Sequence, residues 1–484
     1  MRASLKRVLS TVLIAALAVY LCACSSVSMV SESESESTKK EFVDRAYDTE
    51  SVAVFKTDKE SGLTYVSNVL IIFFDRSAGE EDKQKVTEKV GGVVVGQFDS
   101  VNQIQVKIGI KGYKELKELC SEVSKMNHVI CADIDRKFEC NAEPYYPSDG
   151  YSDEWNDTPF GDNWSLEVVG APYAWAHKDN LQPISVGVID TGFNPKHPDL
   201  TDNLTVSSYG ESPDTNPGHG TCVAGIIGAG FDNGTGVSGI APNAKITGYS
   251  LGKTITANNI VYLLIMAVKD GNKVINLSMG CSGSLPDHNS TNDYDGIGRD
   301  ASIVISNLLD DGYDFLVVQA AGNGAADGIG VDAVYNGMFC SITKDNCYTG
   351  SHSYEEIIGH IMVVSAAVMT DSGMFLDTYS CYGSTVSLAA PGSGIYIITA
   401  EGDCCYSSGT SLSAPYVAGA AAVVWGFDPE LSASDVRHIL IDSGTIQVAS
   451  LPDSPLAQGY YNLLDLRSAA EMVLQLSFGD DLAD

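Results

Sequence analysis

Between Gly409 and Trp425 the chain reads Gly-Thr-Ser-Leu-Ser-Ala-Pro-Tyr-Val-Ala-Gly-Ala-Ala-Ala-Val-Val-Trp, without one charged residue. A surface helix needs a polar face, and this run has none beyond its small-residue start, so it predicts a helix buried in a large core. Ser411 falls where that helix begins. The first N–H groups of a helix lack intrahelical partners and carry the positive end of its dipole, which favours negative charge developing at Ser411. Pro415 is expected to be tolerated on the same ground, as a first-turn residue with no intrahelical bond to lose. Alone, the stretch also fits an ordinary capping serine. The segments upstream separate the two readings.

Ile184-Ser185-Val186-Gly187-Val188-Ile189-Asp190-Thr191-Gly192 is a β-branched run that stops in Asp-Thr-Gly. It predicts a buried strand with Asp190 at its carboxyl end, where α/β folds gather their ligands. In Gly218-His219-Gly220-Thr221-Cys222 a histidine between two glycines opens a small-residue helix. A lone Asp at a strand end is usually a turn former, and a lone His is usually structural. Asp, His and Ser in this order and in these contexts resemble the subtilisin-like serine proteases, over a span from about Trp164 to about Ala470.

The resemblance implies a nucleophilic Ser411, a His219 that takes and returns its proton, and an Asp190 that fixes and stabilises the imidazole. Val317-Val318-Gln319-Ala320-Ala321-Gly322-Asn323-Gly324 is a further match, and it implies that Asn323 is the side-chain donor of an oxyanion hole beside the Ser411 N–H. Ser278, Met279 and Gly280 then form one wall of a channel for an extended peptide. The turn around Lys253 to Thr256 forms the other, strand addition giving affinity through main-chain hydrogen bonds.

The expected fold class is α/β. Lys245–Leu251 and Val274–Met279 read as strands with a helix over Asn259–Lys269 between them, an alternation that builds a mostly parallel sheet with helices on both faces. A smaller unit precedes it. Val66–Phe74, Gly79–Val90, Gly91–Phe98, Gln103–Ile110, Tyr113–Lys125 and Val129–Ile134 read as strand, helix, strand, strand, helix, strand, the split βαβ or ferredoxin-like order. Its place before a subtilisin-like unit resembles that family's prosegment, which assists folding and blocks the cleft with its last strand. Self-cleavage is expected near Cys140-Asn141-Ala142, with Arg136-Lys137 as the rival site for another protease.

The chain opens with Arg2, Lys6 and Arg7 and an apolar run from Thr11 to Ala23 that is too short to span a bilayer. It ends in Leu21-Cys22-Ala23-Cys24, which is similar to a bacterial lipobox and implies lipidation of Cys24. Ordinary secretion with an incidental cysteine is the alternative. The Ser-Glu repeats of Ser25–Lys40 have little to bury and repel one another, so they read as a tether. The expected units are a signal at 1–23, a tether at 24–50, a prosegment at 51–141, a linker and processing region at 142–163 and a peptidase at 164–484. Localisation on the outer side of the cytoplasmic membrane, or secretion, follows.

A net charge of −33 argues against nucleic acid, which is bound by clustered Lys and Arg, and against adsorption to anionic lipid. The expected partners are a peptide or protein substrate, the chain's own prosegment, and the membrane through a lipid; a monomer is expected. No cofactor is required for the chemistry. Structural calcium is what the family adds, and Asp287, Asp293, Asp295 and Asp300 lie in an insertion, Cys281–Asp311, that suits it. EF-hand spacing is absent, and a solvated loop explains the same acids, so metal ligands stay unassigned.

A second insertion, Ala325–Glu356, follows Asn323 and is expected to shape the specificity pocket; its acids suggest a basic residue before the scissile bond. It also carries Cys340 and Cys347, which could close a small loop under oxidising conditions. Of twelve cysteines, seven lie in the peptidase region, an odd set that leaves at least one thiol unmatched there. Cys222 is the candidate, and sensitivity to thiol reagents would follow. Pro429–Arg437 reads as a capped helix start and Gly459–Val473 as a closing helix. The whole predicts a membrane-tethered extracellular serine endopeptidase made as a self-processing zymogen. The competing readings are a dedicated processing protease for one precursor and a catalytically silent peptide-binding homologue.

Overall fold

The computed structural model describes residues 43–139, 143–145, 164–281, 294–450 and 459–478, apart from positions 60, 179–180, 232 and 326. The expectations for the signal, Cys24, residues 25–42 of the tether, Cys140–Ala142, Asp287 and Asp293 fall outside the described residues; the tether's last residues, 43–50, are part of the folded N-terminal unit instead, Asp44 and Arg45 pairing with Phe98 and Gln97 and Tyr47 lying buried.

The N-terminal unit is built mainly on β1 (Thr64–Phe74), α1 (Glu80–Val90), β2 (Val93–Phe98), β3 (Gln103–Lys107), α2 (Tyr113–Val123) and β4 (Val129–Glu139). Both helices begin at a glycine whose N–H donates to an acid three residues on, Gly79 to Asp82 (3.1 Å) and Gly112 to Glu115 (2.8 Å), which satisfies an end group and suits the dipole. The strands lie antiparallel in the order β2-β3-β1-β4. Leu70, on β1, stands opposite Val106 and Ile134. With Ile72, Phe74 and Leu116 it forms a core under the two helices. The alternate residues Val69, Ile71 and Phe73 point the other way, into a core shared with the peptidase region.

β4 is longer than its expected end at Ile134. It runs on through Asp135–Glu139: Arg136 still pairs with Tyr65 of β1, while Lys137–Glu139 extend the same sheet by pairing with two short strands of the C-terminal region, β9 (Ile255–Thr256) and β11 (Gly280–Cys281). Beyond residues 140–142 the chain resumes as β5 (Glu143–Tyr145).

The peptidase region is built on β6 (Ser185–Asp190), β7 (Leu204–Gly210), β8 (Lys245–Ser250), β10 (Val274–Leu277), β12 (Leu316–Ala320), β13 (Ile361–Thr370) and β14 (Leu388–Pro391). These run parallel in the order β7-β8-β6-β10-β12-β13-β14. Alternate strand residues feed two cores. Val186, Val274 and Leu316 meet α3 (Gly218–Gly228) and α6 (Thr410–Phe427), while Ile189, Ile275 and Val317 meet α4 (Ala257–Lys269) and α5 (Asp295–Asp310). Helices on both faces explain why the strands are apolar throughout rather than alternating. This is the α/β class expected from the sequence, a mostly parallel sheet with helices on both faces. A small antiparallel sheet is added by β15 (Ile395–Ile398) and β16 (Cys404–Ser408), with β5 as its third strand.

Every residue of α6 is buried, as its composition requires. Two expectations are corrected. Pro415 lies in the second turn of α6, not the first, so its ring removes an intrahelical bond to the Ser411 carbonyl. Gly459–Val473 is not one helix: a strand occupies Tyr460–Asn462 and the helix runs over Leu466–Phe478. The Tyr-Tyr-Asn segment pairs across the sheet edge with Gln447–Ala449, and that tertiary pairing overrides the helical spacing.

Candidate active site

Asp190 is the last residue of β6 and is fully buried. Its Oδ1 accepts from the Thr191 N–H at 2.7 Å and from the Thr191 hydroxyl at 3.2 Å. Both carboxylate oxygens accept from His219 Nδ1 at 2.8 Å. A carboxylate on Nδ1 fixes the tautomer, leaving Nε2 as the basic nitrogen. The approach depends on Gly220, since a Cβ there would collide with the Gly192 carbonyl oxygen and push α3 away from the Asp190 turn. Burial pulls the His219 pKa down, but the Asp190 charge and hydrogen bond outweigh it, and the net shift is upward.

Ser411 is the second residue of α6 and only 3% exposed. Ser411 Oγ and His219 Nε2 are both buried and have no hydrogen-bond partner among the described residues. Unmade hydrogen bonds at two buried polar atoms are costly and mark a site held ready for a reacting group. Catalytic hydrogen bonds are often long until substrate is bound, so the lack of a bond at either atom does not exclude them as nucleophile and base.

The loop after β12 is tied to the same helix start. Asn323 Oδ1 accepts from the Thr410 N–H and the Thr410 hydroxyl, both at 2.8 Å, and the Gly322 N–H donates to Thr410 Oγ1 at 3.0 Å. With its carbonyl end held by Thr410, Asn323 is oriented with the amide nitrogen as its donor end, next to the first N–H groups of α6. The bond lost at Pro415 is replaced from the substrate wall: the Ser278 hydroxyl donates to the Ser411 carbonyl at 2.7 Å. Ser278 thereby locks the wall to the reacting serine, a role the sequence analysis missed although a proline inside a buried helix signals an orphaned carbonyl.

The structure puts Met279 and Gly280 beside the chain's own β4. Glu139 pairs with Gly280 and Phe138 with Cys281 on one side; Phe138 pairs with Ile255 and Lys137 with Thr256 on the other. Phe138 is 1% exposed, in the core with Ile255 and Met279. Beyond residues 140–142, Glu143 pairs with Ser408, three positions before Ser411. A cavity of about 520 Å³ adjoins this strand, lined among others by His219, Cys222, Cys405 and Leu412.

Cys222 is a free thiol, as expected; it donates to the Gly218 carbonyl at 3.1 Å, and burial raises its pKa strongly, which lowers its thiolate character. Cys340 and Cys347 do not close a loop; their sulfurs face different carbonyls, of Ala320 and Tyr348. Four of the insertion's five acids have partners within it: Asp327 and Asp332 accept from the N–H groups of Ile329 and Val334, Glu355 pairs with Lys344, and Glu356 accepts from the Ser353 N–H. Asp300 lies in α5 facing the Cys131 thiol of β4, not in an open loop. Among the described residues no group of three or more His, Cys, Asp or Glu side chains could hold a metal, and no helix is long and apolar enough to cross a membrane.

The model of the subtilase family matches residues 182–460. A thermophilic serine proteinase of Bacillus sp. (strain AK1) is 29% identical over 387 residues, which are 77% of this chain and 81% of that protein. Subtilisin DY of Bacillus licheniformis is 31% identical over 271 residues, 54% of this chain and 84% of that protein. The crystal structure of fervidolysin from Fervidobacterium pennivorans, a keratinolytic enzyme related to subtilisin, aligns with a TM-score of 0.62 at 20% identity, over 88% of this chain and 65% of that one, a likeness of fold.

Proposed function

The chain belongs to the subtilase family and is a subtilisin-like serine endopeptidase, and on that premise we propose that it is an extracellular, lipid-tethered zymogen that cuts its own prosegment free. Ser411 attacks the scissile carbonyl, His219 Nε2 accepts its proton and later delivers it to the leaving amine, and Asp190 keeps the imidazole oriented and stabilises its charged form. The oxyanion is received by the Ser411 N–H at the start of α6 and by the Asn323 amide. Residues 43–139 act as the prosegment, and Cys24 carries the lipid, a second acyl chain being needed for stable attachment. No step is routed through a metal.

The observation that carries this reading is the path of the chain through the cleft. Its β4 enters between β9 and β11 as a substrate strand would, with Glu139 opposite Gly280, and β5 runs along β16, with Glu143 opposite Ser408, three positions before Ser411. A junction flanked by these two pairings and carried on the same chain as Ser411 makes the cut intramolecular, worth orders of magnitude in effective concentration. The matured protein should react with a fluorophosphonate and hydrolyse peptides, and Ser411→Ala should do neither. Wild-type protein that folds and matures yet reacts with no fluorophosphonate would remove the serine mechanism.

A further inference from the structure

Strands β10 and β12 are parallel neighbours, Leu277 opposite Gln319, so their continuations 278–280 and 321–323 leave the sheet side by side. A peptide lying along Gly280 as Glu139 does, with its reacting carbonyl at Asn323, must turn the side chain before the scissile bond into the gap between Gly280 and Gly322. That gap is not empty. A Cβ added to Gly280 would overlap the Asn336 carboxamide oxygen, and one added to Gly322 would lie 2.8 Å from Asn336 Cγ and Oδ1. The Asn336 amide is therefore wedged between the two glycine walls.

It is also held there. Asn336 is 3% exposed, and its Nδ2 donates to the Ala320 carbonyl at 3.0 Å. The next turn is pinned by Gln319, whose Nε2 donates to the Gly337 carbonyl at 3.4 Å and the Met279 carbonyl at 3.3 Å, while its Oε1 accepts from the Phe339 N–H at 3.0 Å. One side chain thus ties the strand wall, the Asn323 loop and the insertion into a single rigid frame, and tight packing resists extra volume. The group that meets both glycine faces of the gap is a neutral amide.

Resting on the protease reading above, we propose that Asn336 is the specificity-determining residue, restricting the side chain before the scissile bond to small, uncharged ones. A large aromatic or an arginine would have to displace the amide, and the amide offers an arginine no charge in return. The junction agrees in sequence: Cys140, Asn141 and Ala142, between the Glu139 and Glu143 pairings, are all short and uncharged.

The test uses the full chain allowed to mature, and peptides differing only in the residue before the cut. Expected is kcat/KM for Ala, Ser or Asn at least about tenfold above Phe, Leu or Arg, the scale on which a pocket rejects excess volume. Asn336→Ala should shift the Phe-to-Ala ratio at least about tenfold towards Phe. Wild-type enzyme that cuts after Phe or Arg as well as after Ala overturns the proposal, as does an unchanged ratio in the variant. If Asn336→Ala does not accumulate, the wild-type profile decides alone. Fluorophosphonate labelling separates the two levels: protein that labels but cuts after Phe refutes only the role of Asn336, whereas protein that neither labels nor cuts refutes both.

Discussion

The two sheets bury themselves differently. The parallel sheet is covered on both faces by helices of its own region, and the ends of β6 and β12 lead straight into Asp190 and the Asn323 loop. The antiparallel sheet has its own helices on one face only; the other, with Val69, Ile71 and Phe73, shares a core with Ile260, Leu264 and Ile305 of α4 and α5. Arg76 reaches across to Asn307 and Asp311, and Lys269 to Asp44, but these pairs are partly exposed and contribute little beside the apolar face. One sheet presents chemistry and the other is held in place by it. Substitutions at the strand ends of the first should change turnover and leave the hold intact; substitutions at the shared face should do the reverse.

The sharpest break of that division is Asp190→Asn. It keeps the fold but offers His219 an amide in place of a carboxylate, and turnover of a peptide ester should fall on the order of 10⁴-fold, as when the same change is made in a trypsin triad. Asn323→Ala removes one oxyanion donor, and the value known for that donor in subtilisin, about 10²–10³ in kcat, is the loss expected here. Phe138→Ala belongs to the other class. Truncating a central buried anchor costs about 2 kcal/mol or more, so the cleaved prosegment should release roughly thirtyfold more readily, read as faster recovery from inhibition, with kcat of the freed enzyme unaltered.

Two pH effects are smaller and have opposite origins. His219 must be neutral to act as base, and its pKa stands above the ordinary 6.5, so activity should rise with pH along a limb centred above that value. Asp190→Asn, which removes the stabilising charge, should move the limb down. At the shared face, burial of Asp135 pushes its pKa from 3.8 up to about 6, outweighing the hydrogen bonds from the Tyr47 hydroxyl and the Asn258 N–H, which pull it down. The held form keeps this proton more tightly than a released, solvated prosegment would, so the hold is strongest below the ordinary carboxylate value and weakens as pH rises through about 6. Burial raises the Asp300 carboxyl beside Cys131 in the same direction. Release that slowed with rising pH would contradict this assignment.

Much of the parallel sheet was legible because its rules are local. Abrupt ends of β-branched runs mark Asp190 and Asn323 at strand ends, and the all-apolar stretch after Ser411 has no stable home except a buried helix. The structure puts those side chains at the ends of β6, β12 and α6. What was hidden depended on pairing with distant residues. The last five residues of β4 carry Arg136, Lys137 and Glu139, a charged run that reads as linker until β9 and β11 supply partners on both sides. Asn336 in its insertion looks like any turn asparagine; only the approach of Gly280 and Gly322 gives it a place. Tyr460–Asn462 misled for the same reason, since its partner lies across a sheet edge.

The account stands most directly on the fate of the junction between Glu139 and Glu143. Purified full-length wild type and Ser411→Ala, with no other protease present, would be followed by intact mass and N-terminal sequencing. The account predicts that the wild type splits into two chains at a bond between residues 139 and 143, while Ser411→Ala stays a single folded chain. Cleavage of Ser411→Ala at the wild-type rate, or a wild-type cut elsewhere such as between Arg136 and Lys137, would contradict it.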